Sequence, residues 1–370
     1  GNKGKWEAAV KAFQDAEAKH HKPTVSEIRA LLRALARGGG KGEAWAAVHR
    51  LRGMGALTVF DYEYALQAHE KPRHWSGALK LLKHMDANNI KWTVRACNHA
   101  LLTCGFAGRL NDAFQLIRQM RERGINPASG DYLQLIGECV RSSKKVRDAG
   151  DSRGGSKQAM ELLQLMKQTG AKPDVRHFTA VVDACGKAGD WINASNVFQQ
   201  MRLEGIEPNV RTWNALLDAI GNAGQVEKML AAYKEMCAAG EQPGVVAMNT
   251  MLDHAGAAGE MDTVKDIWRE MHDRQLEPNA YSYSALINCY AMAKQPDKAE
   301  GVLAKMVQSA TIKPNAITFN SIMKAYIKVE RLDDAEHVIS RMRTAGVQPD
   351  LQTWNGIIHA ADAADDLKRA

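Results

Sequence analysis

The residues able to do chemistry are few and poorly arranged for it. Six cysteines occur, Cys97, Cys104, Cys139, Cys185, Cys237 and Cys289. None forms a Cys-x-x-Cys pair or joins histidine at zinc spacing. They read as buried thiols of a reducing compartment, where free cysteine behaves as a small core residue. His20, His21, His49, His69, His74 and His99 gather in the N-terminal part. Only His69 and His74 come near the spacing of helical metal ligands. Gly38-Gly39-Gly40-Lys41-Gly42 has the composition of a phosphate loop, but no strand precedes it and no Lys-Ser/Thr follows. Asp362, Asp365 and Asp366 form an acidic cluster of a kind that holds magnesium in nucleases; here it reads as a solvated tail. No deaminase signature is present. The expectation is a protein without catalytic residues, metal or cofactor.

Charge is more informative. Residues 1–174 hold 29 Lys and Arg against 17 Asp and Glu, a net +12, while residues 175–370 hold 20 against 25, a net −5. Cationic surface attracts nucleic acid without reading its sequence, so the N-terminal half is the candidate for broad phosphate contact. Apolar residues make up 45% of the chain but aromatics only 6%, and the dominance of Ala, Leu and Met favours helix over strand. No stretch approaches the roughly 20 apolar residues of a membrane span. Gly1 to Lys5 is polar and opens no signal peptide.

The elements that would carry these charges repeat. Gly170-Ala171-Lys172-Pro173, Gly205-Ile206-Glu207-Pro208, Gly240-Glu241-Gln242-Pro243 and Gly346-Val347-Gln348-Pro349 share one ending, and Gly124-Ile125-Asn126-Pro127 is an earlier copy. Prolines 173, 208, 243 and 278 stand 35 residues apart, and prolines 314 and 349 follow at 36 and 35. Within 210–244, Trp213, Leu216, Leu217 and Ile220 give the stripe of a first helix. Gly221 and Gly224 bracket a turn, and Val226, Met229, Leu230, Tyr233 and Met236 give a second stripe. Gly240 suits a helix end needing positive φ, and Pro243 stops continuation. Such a hairpin cannot bury both faces alone, so neighbours must stack.

This register predicts an all-α fold, a right-handed superhelical α-solenoid of about nine 35-residue helix-turn-helix repeats plus terminal half-repeats. The full units are 25–58, 59–93, 94–128, 129–174, 175–209, 210–244, 245–279, 280–315 and 316–350. Residues 1–24 read as an orphan second helix, with Trp6, Ala9, Phe13 and Ala16 in register, and 351–370 as a final first helix. The unit 129–174 is longer than the rest, and its Ser/Gly/Lys/Arg-rich excess near 141–156 reads as a loop. The chain divides into basic, degenerate repeats over 1–174 and regular ones over 175–370, within one continuous solenoid.

The segments Phe178-Thr179-Ala180-Val181-Val182-Asp183-Ala184-Cys185-Gly186-Lys187-Ala188-Gly189, Thr212-Trp213-Asn214-Ala215-Leu216-Leu217-Asp218-Ala219 and Thr318-Phe319-Asn320-Ser321-Ile322-Met323-Lys324-Ala325-Tyr326 resemble pentatricopeptide repeats. The likeness covers nearly the whole chain, most closely from residue 94 onward. Tetratricopeptide repeats run at 34 residues and lack the closing Gly-x-x-Pro-Asn/Asp. The resemblance implies one RNA base per repeat. The fifth residue of each repeat would bond the base edge, the last residue would help to select it, and the second would pack between bases. An amide or hydroxyl on the first helical turn offers a donor and an acceptor to a splayed base.

In this register the fifth/last pairs are Thr179/Asn209, Asn214/Gly244, Asn249/Asn279, Ser284/Asn315 and Asn320/Asp350, with Asn355 beginning the next. On the family resemblance these pairs imply a readout of 5′-A-N-Y-A-U-3′, and the register places the six fifth-position side chains in single file along an inner groove. Earlier pairs depart from the pattern: Arg29/Thr58, Glu63/Thr93, Asn98/Ala128 and Leu133/Asp174. Of these only Asn98 joins the base-reading set. The base-stacking candidates are Arg95, Arg176, Arg211, Val246, Tyr281 and Ile317. A basic row at the thirteenth position, Arg37, Lys71, Arg141, Lys187 and Lys328, would meet backbone phosphate.

The expected function is sequence-selective binding of single-stranded RNA, messenger or ribosomal, in a mitochondrion or plastid, with the targeting peptide absent from this chain. There it would stabilise, process or regulate translation of a transcript. Two alternatives stand beside it: a structural subunit of a large organellar assembly such as a ribosome, and a protein-binding helical scaffold.

Overall fold

Residues 315–350 show how one period becomes a hairpin. Asn315 is extended, with φ −120° and ψ −179°, and its side chain accepts the Thr318 N–H at 3.0 Å. This N-cap starts a helix, because it satisfies one of the orphan donors of the first turn. Phe319, Ile322, Met323 and Tyr326 then recur at helical spacing and are all buried. Glu330, at φ 61°, turns the chain. On the returning helix Ala335, Val338, Ile339 and Met342 repeat the same spacing and pack into the same core, joined by Ile287 and Leu303 of the preceding hairpin. Gly346, at φ 74°, closes it, and the Val347 N–H bonds Met342 O at 2.9 Å across the end.

The structure is a computed structural model describing residues 3–147, 154–308 and 312–363, with side chains over 6–141, 154–308 and 312–358. Among the described residues there are twenty α-helices and no strand. The first helices of the hairpins (A helices) are α2 Val25–Gly38, α4 Val59–Glu70, α6 Val94–Phe106, α8 Ser129–Arg147, α10 Val175–Lys187, α12 Val210–Asn222, α14 Val245–Ala257, α16 Ala280–Met292, α18 Ala316–Ile327 and α20 Leu351–Ala363. The second helices (B helices) are α1 Lys3–Ala18, α3 Lys41–Gly53, α5 Trp75–Ala87, α7 Leu110–Glu122, α9 Gly154–Gln168, α11 Trp191–Leu203, α13 Val226–Ala238, α15 Met261–Asp273, α17 Pro296–Gln308 and α19 Leu332–Thr344. Among the described residues, eight A–B hairpins pack within Gly1–Ala188 and Gly189–Ala370, four in each, and the fold is an all-α helical-repeat solenoid.

Two compact units are present, Gly1–Ala188 and Gly189–Ala370. In the N-terminal unit, α2, α4, α6, α8 and α10 pack each against the next. In the C-terminal unit, α12, α14, α16, α18 and α20 do the same. Each unit therefore presents one row of A helices, held from behind by B helices.

Three local expectations are corrected. Gly221 lies inside α12 rather than in the turn, where a Cβ would collide with the His254 ring of α14. It permits close approach of two A helices, and the positive φ of the turn falls on Gly224. The insertion is narrower than 141–156, because α8 continues to Arg147 and α9 starts at Gly154. Lys and Arg are good helix formers and suit a helix C-terminus; residues 148–153 of the expected loop lie outside the described residues. Five cysteines are buried, but Cys237 is only partly so. Burial pushes the thiols of Cys97, Cys104, Cys139 and Cys289 up to about 12.

Candidate functional site

The last residue of each repeat is the N-cap of the next A helix, a role that the sequence register did not separate from base selection. Asn209 Oδ1 accepts the Thr212 N–H at 3.0 Å, Asn279 Oδ1 that of Ser282 at 3.0 Å, and Asp350 Oδ1 that of Thr353 at 2.9 Å, as Asn315 does for Thr318. Capping engages one oxygen of each of these exposed side chains and leaves the other terminal atom outside the cap. That atom is an amide donor in Asn209, Asn279 and Asn315, and a carboxylate acceptor in Asp350. Hydrogen bonds from the Thr353 backbone and then from the Asn320 amide hold the Asp350 carboxyl below the usual range, so it stays an acceptor. Gly244 caps α14 without any side chain.

Fifth-position side chains lie one turn further in, on successive A helices. Asn320 Nδ2 donates to Asp350 Oδ1 at 3.2 Å, so this fifth/last pair is in direct contact. Ser284 Oγ lies 2.8 Å from Thr318 Oγ1. The amide oxygens of Asn98, Asn214 and Asn249 are buried with no hydrogen-bond partner among the described residues, an arrangement that costs free energy until something donates to them. Thr179 Oγ1 donates to Val175 O at 2.7 Å. The expected single file along an inner groove is uneven in depth. Thr179, Asn249 and Ser284 are only 7%, 7% and 6% exposed, while Asn355 is exposed. These three small side chains sit down between neighbouring A helices instead of standing above them. Thr179 belongs to the row of the N-terminal unit and the other five to that of the C-terminal unit.

The earliest fifth positions are closed by ion pairs. Arg29 bonds Asp61 of the next A helix at 3.0 Å and Ala56 O at 2.7 Å. Glu63 accepts from Thr93 at 2.8 Å and lies 3.7 Å from Arg95. After Ala128, which has no polar side chain, Asp131 caps in reverse by accepting the Ala128 N–H at 2.8 Å.

Several second-position side chains are exposed. Val246, Tyr281 and Ile317 are 64%, 57% and 61% exposed. Tyr281 OH is held by Asp253 at 2.5 Å. Phe60, the exposed second residue of its repeat, joins this set and was missed, although its register position was readable. Arg176 is bound to Asp174 at 2.7 Å, whereas Arg211 is exposed on α12. The thirteenth-position cations are less available than expected. Arg141 pairs with Glu138, Lys187 with Asp183 at 2.7 Å, Lys71 donates to Arg37 O, and Lys328 Nζ lies 3.1 Å from Met292 Sδ. Arg37 is exposed.

Asp174 caps α10 through the N–H groups of Arg176 and His177. Burial works against its charge, but hydrogen bonds from Arg176 and His177 hold the carboxyl down at about 2. The folded value lies below the unfolded one, so the contribution is complete above the ordinary carboxylate range and disappears as pH falls toward 2. Asp174→Ala is expected to cost about 1 kcal/mol at neutral pH. In thermal melts followed by circular dichroism, the gap between the two proteins should shrink as pH falls from about 4 to 2.

No group of three or more His, Cys, Asp or Glu among the described residues is placed to hold a metal ion. None of the described helices is long and apolar enough to cross a membrane. Family models match the chain in three consecutive stretches. Residues 94–264 match the pentacotripeptide-repeat region of PRORP, 266–329 a pentatricopeptide repeat domain, and 314–361 the PPR repeat family. The chain belongs to the pentatricopeptide repeat proteins. Solved pentatricopeptide repeat structures similar to it include PPR10 from maize, at 18% identity and TM-score 0.38, covering 98% of this chain and 65% of that one. The chain thus spans 65% of the maize protein's length. The PPR domain of Arabidopsis thaliana protein-only RNase P 1 in complex with tRNA matches at 20% identity and TM-score 0.40, covering 49% and 95% of the two chains. Yeast Rmd9p in complex with a 16-nt target RNA matches at 11% identity and TM-score 0.40, covering 98% and 79%. A search of curated proteins returns no match.

Proposed function

We propose that this pentatricopeptide repeat protein binds single-stranded RNA along its A helices, one base per hairpin, without chemistry of its own. The observation that carries this reading is the set of unengaged amide oxygens on Asn98, Asn214 and Asn249, all at one register position. A base entering between exposed second-position side chains such as Val246 and Tyr281 would donate to such an oxygen and gain stacking contact at once. The outward atom of each last-position cap supplies the second contact: a donor at Asn209, Asn279 and Asn315, an acceptor at Asp350. Asn320/Asp350 reads uracil on the family resemblance, within A-N-Y-A-U over the regular repeats. Arg29 and Glu63, already ion-paired, do not read. The N-terminal repeats, with their net +12 charge over 1–174, hold the strand by charge instead.

Fluorescence anisotropy with labelled RNA tests this. Asn249→Ala is expected to weaken binding about fivefold with an unchanged melting temperature. Equal affinity for A-N-Y-A-U and scrambled RNA would sink the reading. The organellar setting, mitochondrion or plastid, belongs to the same proposal. The ion-paired Arg29 and Glu63 also favour a second reading, a clamp on ribosomal RNA within an organellar ribosome or similar assembly. Co-sedimentation with ribosomal subunits would support that second reading, and a wholly low-mass species would oppose it.

A further inference from the structure

An asparagine reads a base selectively only if its amide is held one way round, since a half-turn of the group exchanges donor and acceptor. In the C-terminal unit, the holding group is the third residue of the following A helix. Thr353 Oγ1 lies 2.7 Å from Asn320 Oδ1, and Asn320 Nδ2 lies 3.2 Å from Asp350 Oδ1. The Thr353 oxygen also takes the Asp350 N–H at 3.1 Å. Its own proton lies between Asn320 Oδ1 and Asp350 Oδ1, the latter at 2.9 Å. Asp350 Oδ1 already accepts from the Thr353 and Asn320 N–H groups, which leaves Asn320 Oδ1 as the nearer acceptor for the hydroxyl. Both ends of the Asn320 amide are then fixed. Ser284 Oγ also meets the third-residue hydroxyl, that of Thr318, at 2.8 Å.

The slot is filled differently elsewhere. After Asn249 it holds Ser282, whose hydroxyl is 3.2 Å from Asn279 Oδ1 and accepts the Asn279 N–H at 3.1 Å. After Asn214 it holds Ala247, with Gly244 as the cap, so neither residue offers a polar side chain. In the C-terminal unit, the amide oxygens of Asn214 and Asn249 have no partner among the described residues.

We propose that the third residue of each following A helix determines specificity by positioning the fifth-position reader: Thr353 locks Asn320, while Ala247 leaves Asn214 able to turn and tolerant of any base. The proposal rests on base reading as set out above. It is tested on the full chain with labelled single-stranded RNA carrying A-N-Y-A-U and its variants at the last base. Thr353→Val should bind the best RNA within about threefold of wild type yet lose about tenfold of its discrimination at that base. Discrimination at the base before it should stay unchanged, and Thr353→Ser should restore the loss. Ala247→Thr should create selectivity opposite Asn214. Full discrimination in Thr353→Val, with discrimination lost in Asn320→Ala, would overturn the proposal while sparing base reading. Full discrimination in Asn320→Ala as well would overturn both.

Discussion

Trp213→Ala is expected to destabilise the C-terminal unit by about 3–5 kcal/mol. Trp213 lies on α12 and is 1% exposed, and its ring stands 4.5 Å from that of Phe198 on α11 at an interplanar angle of 59°. It therefore joins a B helix to the A helix that follows. A repeat array is held only by contacts between neighbours, so losing this ring weakens the junction between two hairpins as well as one helix. The indole Nε1 has no hydrogen-bond partner among the described residues. Trp213→Phe removes that unsatisfied donor while keeping most of the ring, and its cost should stay near about 1–2 kcal/mol. Urea unfolding followed by circular dichroism separates the two variants. An unchanged midpoint for Trp213→Ala would contradict the packing described here.

The register was readable because capping and punctuation coincide. Thr24, Thr58, Thr93, Asp174, Asn209, Asn279 and Asn315 all precede A helices that begin where the repeat alignment puts them. The positive φ at Gly240 was readable from the glycine itself. Gln275 takes the same turn at φ 56° without a glycine to mark it. The candidate site residues were placed by register alone, and their hydrogen-bonding state was not legible. Asn and Asp are favoured both as caps and as base readers, so residue type alone could not show that Asn279 or Asp350 is already half engaged. Arg29 meets Asp61 across 32 residues of sequence, a pairing that exists only once A helices stack. The third-residue hydroxyls of Thr318 and Thr353 looked like ordinary helix-start residues, because their second partner lies on the preceding hairpin.

The second large effect concerns the pair that the structure brings into contact, Asn320 and Asp350. Asp350→Asn keeps an oxygen for the Thr353 N–H, so α20 remains capped, but it turns the outward acceptor into a donor. Asn320→Ser replaces the amide by the hydroxyl found at Ser284, and the double variant reproduces the Ser284/Asn315 pair. On the family resemblance that pair takes adenine where Asn/Asp takes uracil. Each contact is worth about 1–3 kcal/mol of discrimination.

The most direct measurement is competition binding of the Asn320→Ser, Asp350→Asn double variant against RNAs that differ only at the base opposite this hairpin. The account predicts that preference there moves from uracil to adenine by about tenfold in each direction, with every other position unaltered. A variant that keeps the wild-type preference, or shifts it equally along the whole strand, would contradict reading by single hairpins.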